Sequence, residues 1–392
     1  MILSFTFPPN ADGVAEAASS MAYGLADRGF DVFVATGFLP QRENFHPHDH
    51  VTVRQFRVEG NENFRIRIKG ERNEFMRFLD EVDADFIFGH CLDSWLLSLA
   101  GEKYSTLRGR KILISHGFST HLVRLKPQFP WGLSYWLGWQ WLTLRLPWIL
   151  KRQDHLVFLS ERRDLGRFFD HWVARLCGCK KISIIPNGVD ESKFIVQGLS
   201  FRQEYHLGSG PIFLCVANYS ERKNQEMALK AFLDMKENNS SFVFIGSEFN
   251  DYSDLLFSLG RASGAEIIGK RVFIFEKINR EMIVSAFQEC DVFVLSSRDE
   301  TQPIVLIEAM ACGKPFVSTR TGCVSDMPGG VCVKGQAEMT RVMEKLLADL
   351  CLRKEYGELG KKEYLLKYRR ARVLDAYENI LRESPVTQIR PD

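Results

Sequence analysis

The chain has 392 residues, 45% of them apolar and 26% charged, a make-up that suits two or three soluble globular domains with sizeable cores. Its nine cysteines are scattered, with only Cys177 and Cys179 close together. That excludes paired zinc-type spacing and predicts reduced thiols in a cytoplasmic compartment. The net charge of +2 hides an asymmetry: residues 103–181 hold 15 Lys/Arg against 4 Asp/Glu, and six of the seven tryptophans.

No secretory signal is expected, since residues 2–7 (Ile-Leu-Ser-Phe-Thr-Phe) read directly as a buried strand, stopped by Pro8 and Pro9. The loop through Asp12 and Gly13 leads into an Ala-rich helix over 14–27, and a second strand follows over 31–36. This β-loop-α-β order is Rossmann-like, with Gly13 placed to let backbone approach a ligand, although a simple turn accounts for one glycine equally well. A strand is expected over 51–58, a helix over 71–82, and strands over 85–89 and 111–115 that end at His90 and His116. Open α/β sheets gather function at the carboxyl ends of their strands, so both histidines are candidates against the plainer reading of packed side chains. His46, His48 and His50 resemble a metal cluster, but they sit in a loop and no distant ligand set accompanies them.

From Pro127 to Leu144 the chain runs 18 residues without a charge. It holds two Pro, two Gly and two Gln, too broken a composition for a membrane span. Trp131, Trp136, Trp139, Trp141 and Trp148, flanked by Arg124, Lys126, Arg145, Lys151 and Arg152, suit a helix lying on an anionic leaflet. The competing reading is a core helix of the first domain. Nucleic acid is a poor partner for this basic segment, because its aromatics form an apolar run and do not alternate with cations.

A strand over 155–160, a helix over 161–176 and a strand over 181–185 close the first half, ending in the turn 186–190. Residues 191–210 read as a polar linker. The βα pattern then restarts, with strands over 211–217, 242–245, 272–275, 291–295 and 315–318, and helices over 224–237, 252–263 and 280–288. Between the last two strands lies a short helix, roughly 303–312. Pro303 suits its first position, Gly313 its left-handed end, and Pro315 forbids continuation. Its leading amides, near Ile304, Val305 and Leu306, make an anion site bracketed by Glu300 and Glu308. Such a bracket fits a sugar nucleotide; the plainer reading is a surface loop with two solvated acids. From Gln336 the tail is helical in three segments.

Four segments carry a resemblance: Phe7-Pro8-Pro9 with Gly13-Val14-Ala15, Ile185 to Asp190, Val216 to Asn224, and Glu300 to Glu308 with seven residues between the acids. In this order and spacing the chain resembles the retaining nucleotide-sugar glycosyltransferases of the GT-B fold, family 4 (glycosyl transferases group 1). The resemblance implies an α/β fold with two Rossmann-like domains, 1–187 and 188–392, facing across a cleft, and carboxyl-terminal helices packing back toward the first. The final helix, about 367–383, is the one expected to cross. It implies that Glu300 lies beneath the donor sugar, helped by the backbone of Thr301 and Gln302, that Glu308 holds the ribose, and that the amides of Val305 and Leu306 cradle the pyrophosphate. Lys223 would meet the leaving diphosphate, His116 the sugar, and Gly13 the phosphates. With a lysine on the leaving group no metal or other cofactor is expected.

Two departures stand out. Asn218 replaces an arginine usual in the family, leaving Arg222 or Arg320 to supply the second cation, and Asp12 stands where the family has a glycine. The implied reaction is transfer with retention from a UDP- or GDP-linked sugar to a hydroxyl of a lipid-linked, polysaccharide or lipopolysaccharide acceptor. The basic segment would hold the enzyme peripherally on the inner face of the cytoplasmic membrane. The alternatives are a soluble transferase with a small acceptor, a nucleotide-sugar epimerase, or a silent sugar-nucleotide-binding scaffold.

Overall fold

The structure, a computed structural model, describes residues 1–10, 12–42, 48–60, 68–92, 94–118, 131–194, 198–236, 239–262 and 271–383. In chain order its elements are β1 (Ile2–Leu3), α1 (Gly13–Ala26), β2 (Val32–Gly37), β3 (Val51–Phe56), the short pair β4 (Val58–Glu59) and β5 (Lys69–Gly70), α2 (Arg72–Glu81), β6 (Phe86–His90), α3 (Trp95–Glu102), β7 (Arg110–Ser115), α4 (Trp131–Lys151), β8 (His155–Phe158), α5 (Phe169–Leu176) and β9 (Ile182–Ile184). There follow α6 (Phe201–Glu204), β10 (Ile212–Val216), α7 (Gln225–Leu233), β11 (Ser241–Gly246), α8 (Asp251–Ala262), β12 (Arg271–Glu276), α9 (Arg280–Glu289), β13 (Val292–Leu295), α10 (Ile304–Ala311), β14 (Phe316–Thr319), β15 (Gly330–Val333), α11 (Gln336–Ala348), α12 (Leu350–Glu363) and α13 (Arg370–Arg382).

Two compact units emerge, Met1–Asn187 with Ala371–Asp392, and Gly188–Arg370. The first contains a seven-stranded parallel sheet in the order β3-β2-β1-β6-β7-β8-β9. The second contains a six-stranded parallel sheet in the order β12-β11-β10-β13-β14-β15. Strands such as Val292–Leu295 are buried at every position, because helices cover both faces of a parallel sheet. In the first sheet the order reverses between β1 and β6, and in the second between β10 and β13. Each reversal opens a crevice at the carboxyl ends of the two strands.

Of the three tail helices only the last joins the first unit, so the second domain ends near Arg370, short of residue 392. Val373, Leu374, Tyr377, Ile380 and Leu381 of α13 share one apolar cluster with Ala18, Ala22 and Leu25 of α1. Gly24 makes that approach possible: a Cβ there would lie 2.3 Å from Leu374 Cδ1. Arg28 of the same face pairs with Glu378 at 2.6 Å. The helices α11 and α12 stay with the second unit.

Several elements depart from the periodicity. The strand expected over 2–7 stops at Leu3, where Ser4 Oγ turns to donate to Thr6 O. The helix expected over 161–176 begins only at Phe169, because Asp164 Oδ1 accepts from the amides of Gly166 and Phe168 and holds a turn. The supposed linker 191–210 carries α6, pinned to α9 by Phe201 N donating to Ser285 Oγ at 2.9 Å. No described helix is long and apolar enough to cross a membrane.

Candidate active site

The crevice between β10 and β13 takes its floor from the loops that leave those strands. In the first loop Asn224 adopts the left-handed conformation at φ 53°, which Asn tolerates better than most residues. Its Nδ2 donates to Ser296 O, and Ser296 Oγ donates back to Lys223 O at 3.0 Å. Arg298 N donates to Arg222 O at 2.8 Å. Arg298 Nη2 also donates to Asn224 Oδ1 at 3.2 Å, across 74 residues of sequence, and together these bonds stitch the two loops to each other. They set Lys223 Nζ 2.5 Å from Glu300 Oε1, with both side chains largely buried. Arg222 Nη1 lies 4.0 Å from the other carboxylate oxygen and donates to Asp299 O at 3.3 Å.

Glu300 is positioned from behind. Its amide donates to Thr321 Oγ1 at 2.8 Å, and Thr301 O accepts from Cys323 N at 3.0 Å. The turn between these anchors is Gly322, at φ +49°; a Cβ there would meet Thr301 O at 2.2 Å and Glu300 O at 2.5 Å. Thr301 and Gln302 are as buried as Glu300, each 7% exposed. The helix α10 then starts one residue later than its sequence suggests: Pro303 is the extended cap residue, and Ile304 is the first in the helix. Its far end matches the expectation. Gly313, at φ +66°, donates to Met310 O while Lys314 N donates to Ala309 O, the paired bonds of a left-handed helix stop. The leading amides differ in part: Leu306 N already donates to Pro303 O at 3.1 Å, which leaves Ile304 and Val305 as the amides that by position lack an intrahelical acceptor.

Glu308, in the second turn of α10, is 3% exposed and forms an ion pair with Arg280. Sequence reading missed Arg280. It opens α9, where the helix dipole disfavours a cation, and a basic residue in such a place is itself a sign of an acidic partner. Thr321 and Arg298, which hold the loops, carry no comparable signal. Asn218 is exposed, and its carbonyl accepts from Gln225 Nε2 at 3.1 Å. Of the two arginines suggested as replacements for a cation at 218, Arg222 lies at the Glu300 carboxylate.

The remaining candidates, His116 and Gly13, belong to the first unit. His116 follows β7, and its Nε2 lies 3.0 Å from Nδ1 of His90, at the end of β6 beside the first sheet's switch point. The rings stack at 5.2 Å, and burial pushes the His116 imidazole down to about 4, with Arg167 adding to the effect. At the end of β7, Ser115 Oγ donates a short bond to Asp170 and accepts from Gly117 N at 3.1 Å. Burial raises the Asp170 carboxyl to about 6. Asp12 turns away from the loop to cap α1, its Oδ1 accepting from Val14 N and Ala15 N at 2.9 Å and from Thr6 Oγ1 at 3.0 Å. The acid thus occupies the α1 amides itself. Gly13 has open space where a Cβ would stand.

The core reading of the tryptophan-rich segment holds for one face of its helix. On α4, Trp139, Leu142, Leu146 and Leu150 are buried against the first sheet. On another face Leu137, Trp141, Leu144 and Trp148, spaced four, three and four apart, are 49, 50, 76 and 53% exposed. Arg145 and Arg152 stand over Trp148, the latter at 4.4 Å. A cavity of about 260 Å³ lies beside this end of the helix, lined by Leu97, Tyr104, Trp148 and the two arginines among others. Arg124, Lys126 and residues 127–130 lie outside the described residues, as does His46. His48 and His50 turn to Asp27 and Asp31, at 3.1 and 3.6 Å. Among the described residues no group of three or more His, Cys, Asp or Glu could hold a metal ion, and all nine cysteines are free thiols.

Two Rossmann-like units, each built on a parallel sheet with its own switch point, define a two-domain α/β protein of the GT-B type. The chain matches Glycosyltransferase Family 4 over residues 11–193 and Glycosyl transferases group 1 over residues 199–363. It is 22% identical to N-acetyl-alpha-D-glucosaminyl L-malate synthase of Bacillus anthracis over 96% of each chain. It is 26% identical to the lipopolysaccharide core biosynthesis glycosyltransferase LpsE of Rhizobium meliloti over 66% of this chain and 68% of that one. The crystal structure of Anabaena HepE in complex with UDP-glucose superposes with a TM-score of 0.72 at 15% identity, over 98% of this chain and 99% of that one. The chain belongs to the family-4 glycosyltransferases of the GT-B fold.

Proposed function

We propose that this glycosyltransferase moves a sugar, with retention and without a metal, from a UDP- or GDP-linked donor to a hydroxyl of a lipid-linked or cell-envelope polysaccharide or lipopolysaccharide acceptor. The observation that carries the reading is the largely buried Lys223–Glu300 pair at 2.5 Å. A diphosphate leaving group gains negative charge as the glycosidic bond breaks, and a fixed ammonium at that point stabilises the change. Lys223 exchanges its partner for the diphosphate, Arg222 acts as the second cation in place of residue 218, and Glu300 is released to accept from the sugar hydroxyls. The amides of Ile304 and Val305 take the phosphates, Thr301 and Gln302 the sugar, and Glu308, oriented by Arg280, the ribose. To His116 of the first unit we assign a contact with the sugar, and to the open space at Gly13 a phosphate.

A membrane-side acceptor is supported by the exposed Leu137, Trp141, Leu144 and Trp148 stripe with its arginines, the make-up of a helix that rests on an anionic surface. On this reading the enzyme works at the inner face of the cytoplasmic membrane. LpsE serves lipopolysaccharide core synthesis by its name, which agrees with such an acceptor. The B. anthracis relative, named for L-malate, favours a second reading with a small soluble acceptor.

A panel of UDP- and GDP-sugars, scored by thermal stabilisation, tests the donor: the right one at 100 times its Kd adds ~2.7 kcal/mol. Product NMR then reads the anomeric configuration, and chelator treatment the need for metal. A panel in which no nucleotide sugar stabilises the protein or is turned over would overturn the reading.

A further inference from the structure

We propose that His90 is a positioning residue whose Nδ1–H donates to His116 Nε2, fixing His116 as the tautomer that carries its proton on Nδ1. The observation is geometric. His90 is 2% exposed, its Nδ1 lies 3.0 Å from His116 Nε2, and its own Nε2 is buried with no hydrogen-bond partner. One ring must donate and the other accept, so two neutral arrangements compete. If His116 donated from Nε2, His90 would carry its proton on Nε2, and that N–H would be buried and unsatisfied. If His90 donates from Nδ1, only a lone pair is left unmatched at its Nε2. An orphaned buried N–H is the rarer and costlier of the two, so the second arrangement wins. A charged pair is disfavoured as well, since burial drives both imidazoles toward their neutral forms.

The backbone brings the two residues side by side. β6 and β7 are adjacent parallel strands, with His90 opposite Ile114, two residues before His116. Cys91, in the left-handed region at φ 66°, ends β6 with its N–H on Ile114 O at 3.2 Å. The consequence for chemistry follows from the tautomer. His116 presents an N–H at Nδ1, so it acts as a hydrogen-bond donor to a sugar oxygen and is not a base. This consequence rests on the sugar contact assigned to His116 above; the tautomer itself does not.

The test uses the full chain labelled with 15N-histidine. Two-bond proton–nitrogen spectra at pH 7, assigned by single substitutions, are expected to show both His90 and His116 protonated on Nδ1. A His116 proton on Nε2 overturns the proposal, and this spectrum suffices even where a variant fails to fold. In turnover of UDP-glucose or GDP-mannose, His90→Asn keeps an N–H near the Nδ1 position and should hold kcat within about threefold, whereas His90→Leu should lower kcat roughly 10–100-fold with little change in donor KM. Native kcat in a folded His90→Leu overturns the positioning role. Native turnover by His116→Ala removes the role of His116 itself, so the two failures read apart.

Discussion

Lys223 Nζ sits 2.5 Å from Glu300 Oε1 although 77 residues separate them. The distance is set by the switch between β10 and β13, which brings the two loops side by side, and by the Asn224 and Ser296 bonds that lock them. If Lys223 serves the departing diphosphate, Lys223→Ala should lower kcat by roughly 10²–10³-fold, the usual loss for one preorganised transition-state contact. Glu300→Ala should abolish transfer similarly. Both variants should retain their circular dichroism, and full activity in both would remove the assignment. Arg222→Ala, at an exposed and longer contact, should cost less than either.

The pairing of Arg280 with Glu308 predicts a different kinetic signature. If Glu308 holds the ribose as proposed, removing its guanidinium partner loosens the carboxylate's orientation. Arg280→Ala should therefore raise the KM for donor about 10-fold while kcat changes little. An unchanged KM would show that Glu308 does not touch the nucleotide.

Gly322 is a backbone requirement. A methyl there would press on two carbonyl oxygens, Thr301 O and Glu300 O, at a positive φ. Neither carbonyl can rotate away without moving the Glu300 loop. Gly322→Ala should lower turnover about 10²-fold, since small misplacements of catalytic groups carry penalties of that order. It should also lower the thermal midpoint.

Acid should destabilise the first unit. His116 and His155 both titrate at about 4 in the fold, each held down mainly by burial, with Arg110 and Lys181 adding to the effect at His155. Unfolded histidine takes its proton near 6.5, so the unfolded state binds more protons throughout that window, and stability falls as pH drops from about 6.5 to 4. Asp170, raised to about 6 by burial, works the other way, holding a proton in the fold that the unfolded chain releases above 3.8. Thermal midpoints measured between pH 7 and 4 should fall, and His155→Gln should flatten the fall. A midpoint that rises with acid would contradict the balance.

The exposed stripe of α4 predicts lipid binding with a salt signature. The protein should sediment with phosphatidylglycerol vesicles at low salt and be released as the Debye length shortens to ~8 Å and below. Trp141→Ser with Trp148→Ser should reduce the bound fraction several-fold and lower the thermal midpoint only slightly, because these rings are half exposed, at 50 and 53%. Indifference to lipid would favour the small-acceptor reading.

Much of this was legible in one dimension. Strand runs such as Val292–Leu295, the glycine stop at Gly313 and the Glu300–Glu308 spacing are local signals, written in neighbouring residues whose propensities act over a turn or a strand. The same locality explains the errors. The reach of the Asp164 side chain to the amides of Gly166 and Phe168 shortened a helix that composition favoured, and Asp12 became a helix cap. Tertiary structure alone decided the rest. It paired Arg280 with Glu308, set His90 against His116, sent α13 to the first unit across the notch at Gly24, and split the apolar residues of α4 between core and solvent. Those contacts depend on strand order and on which helix covers which face, and both are fixed by burial of the whole chain rather than by any segment of it.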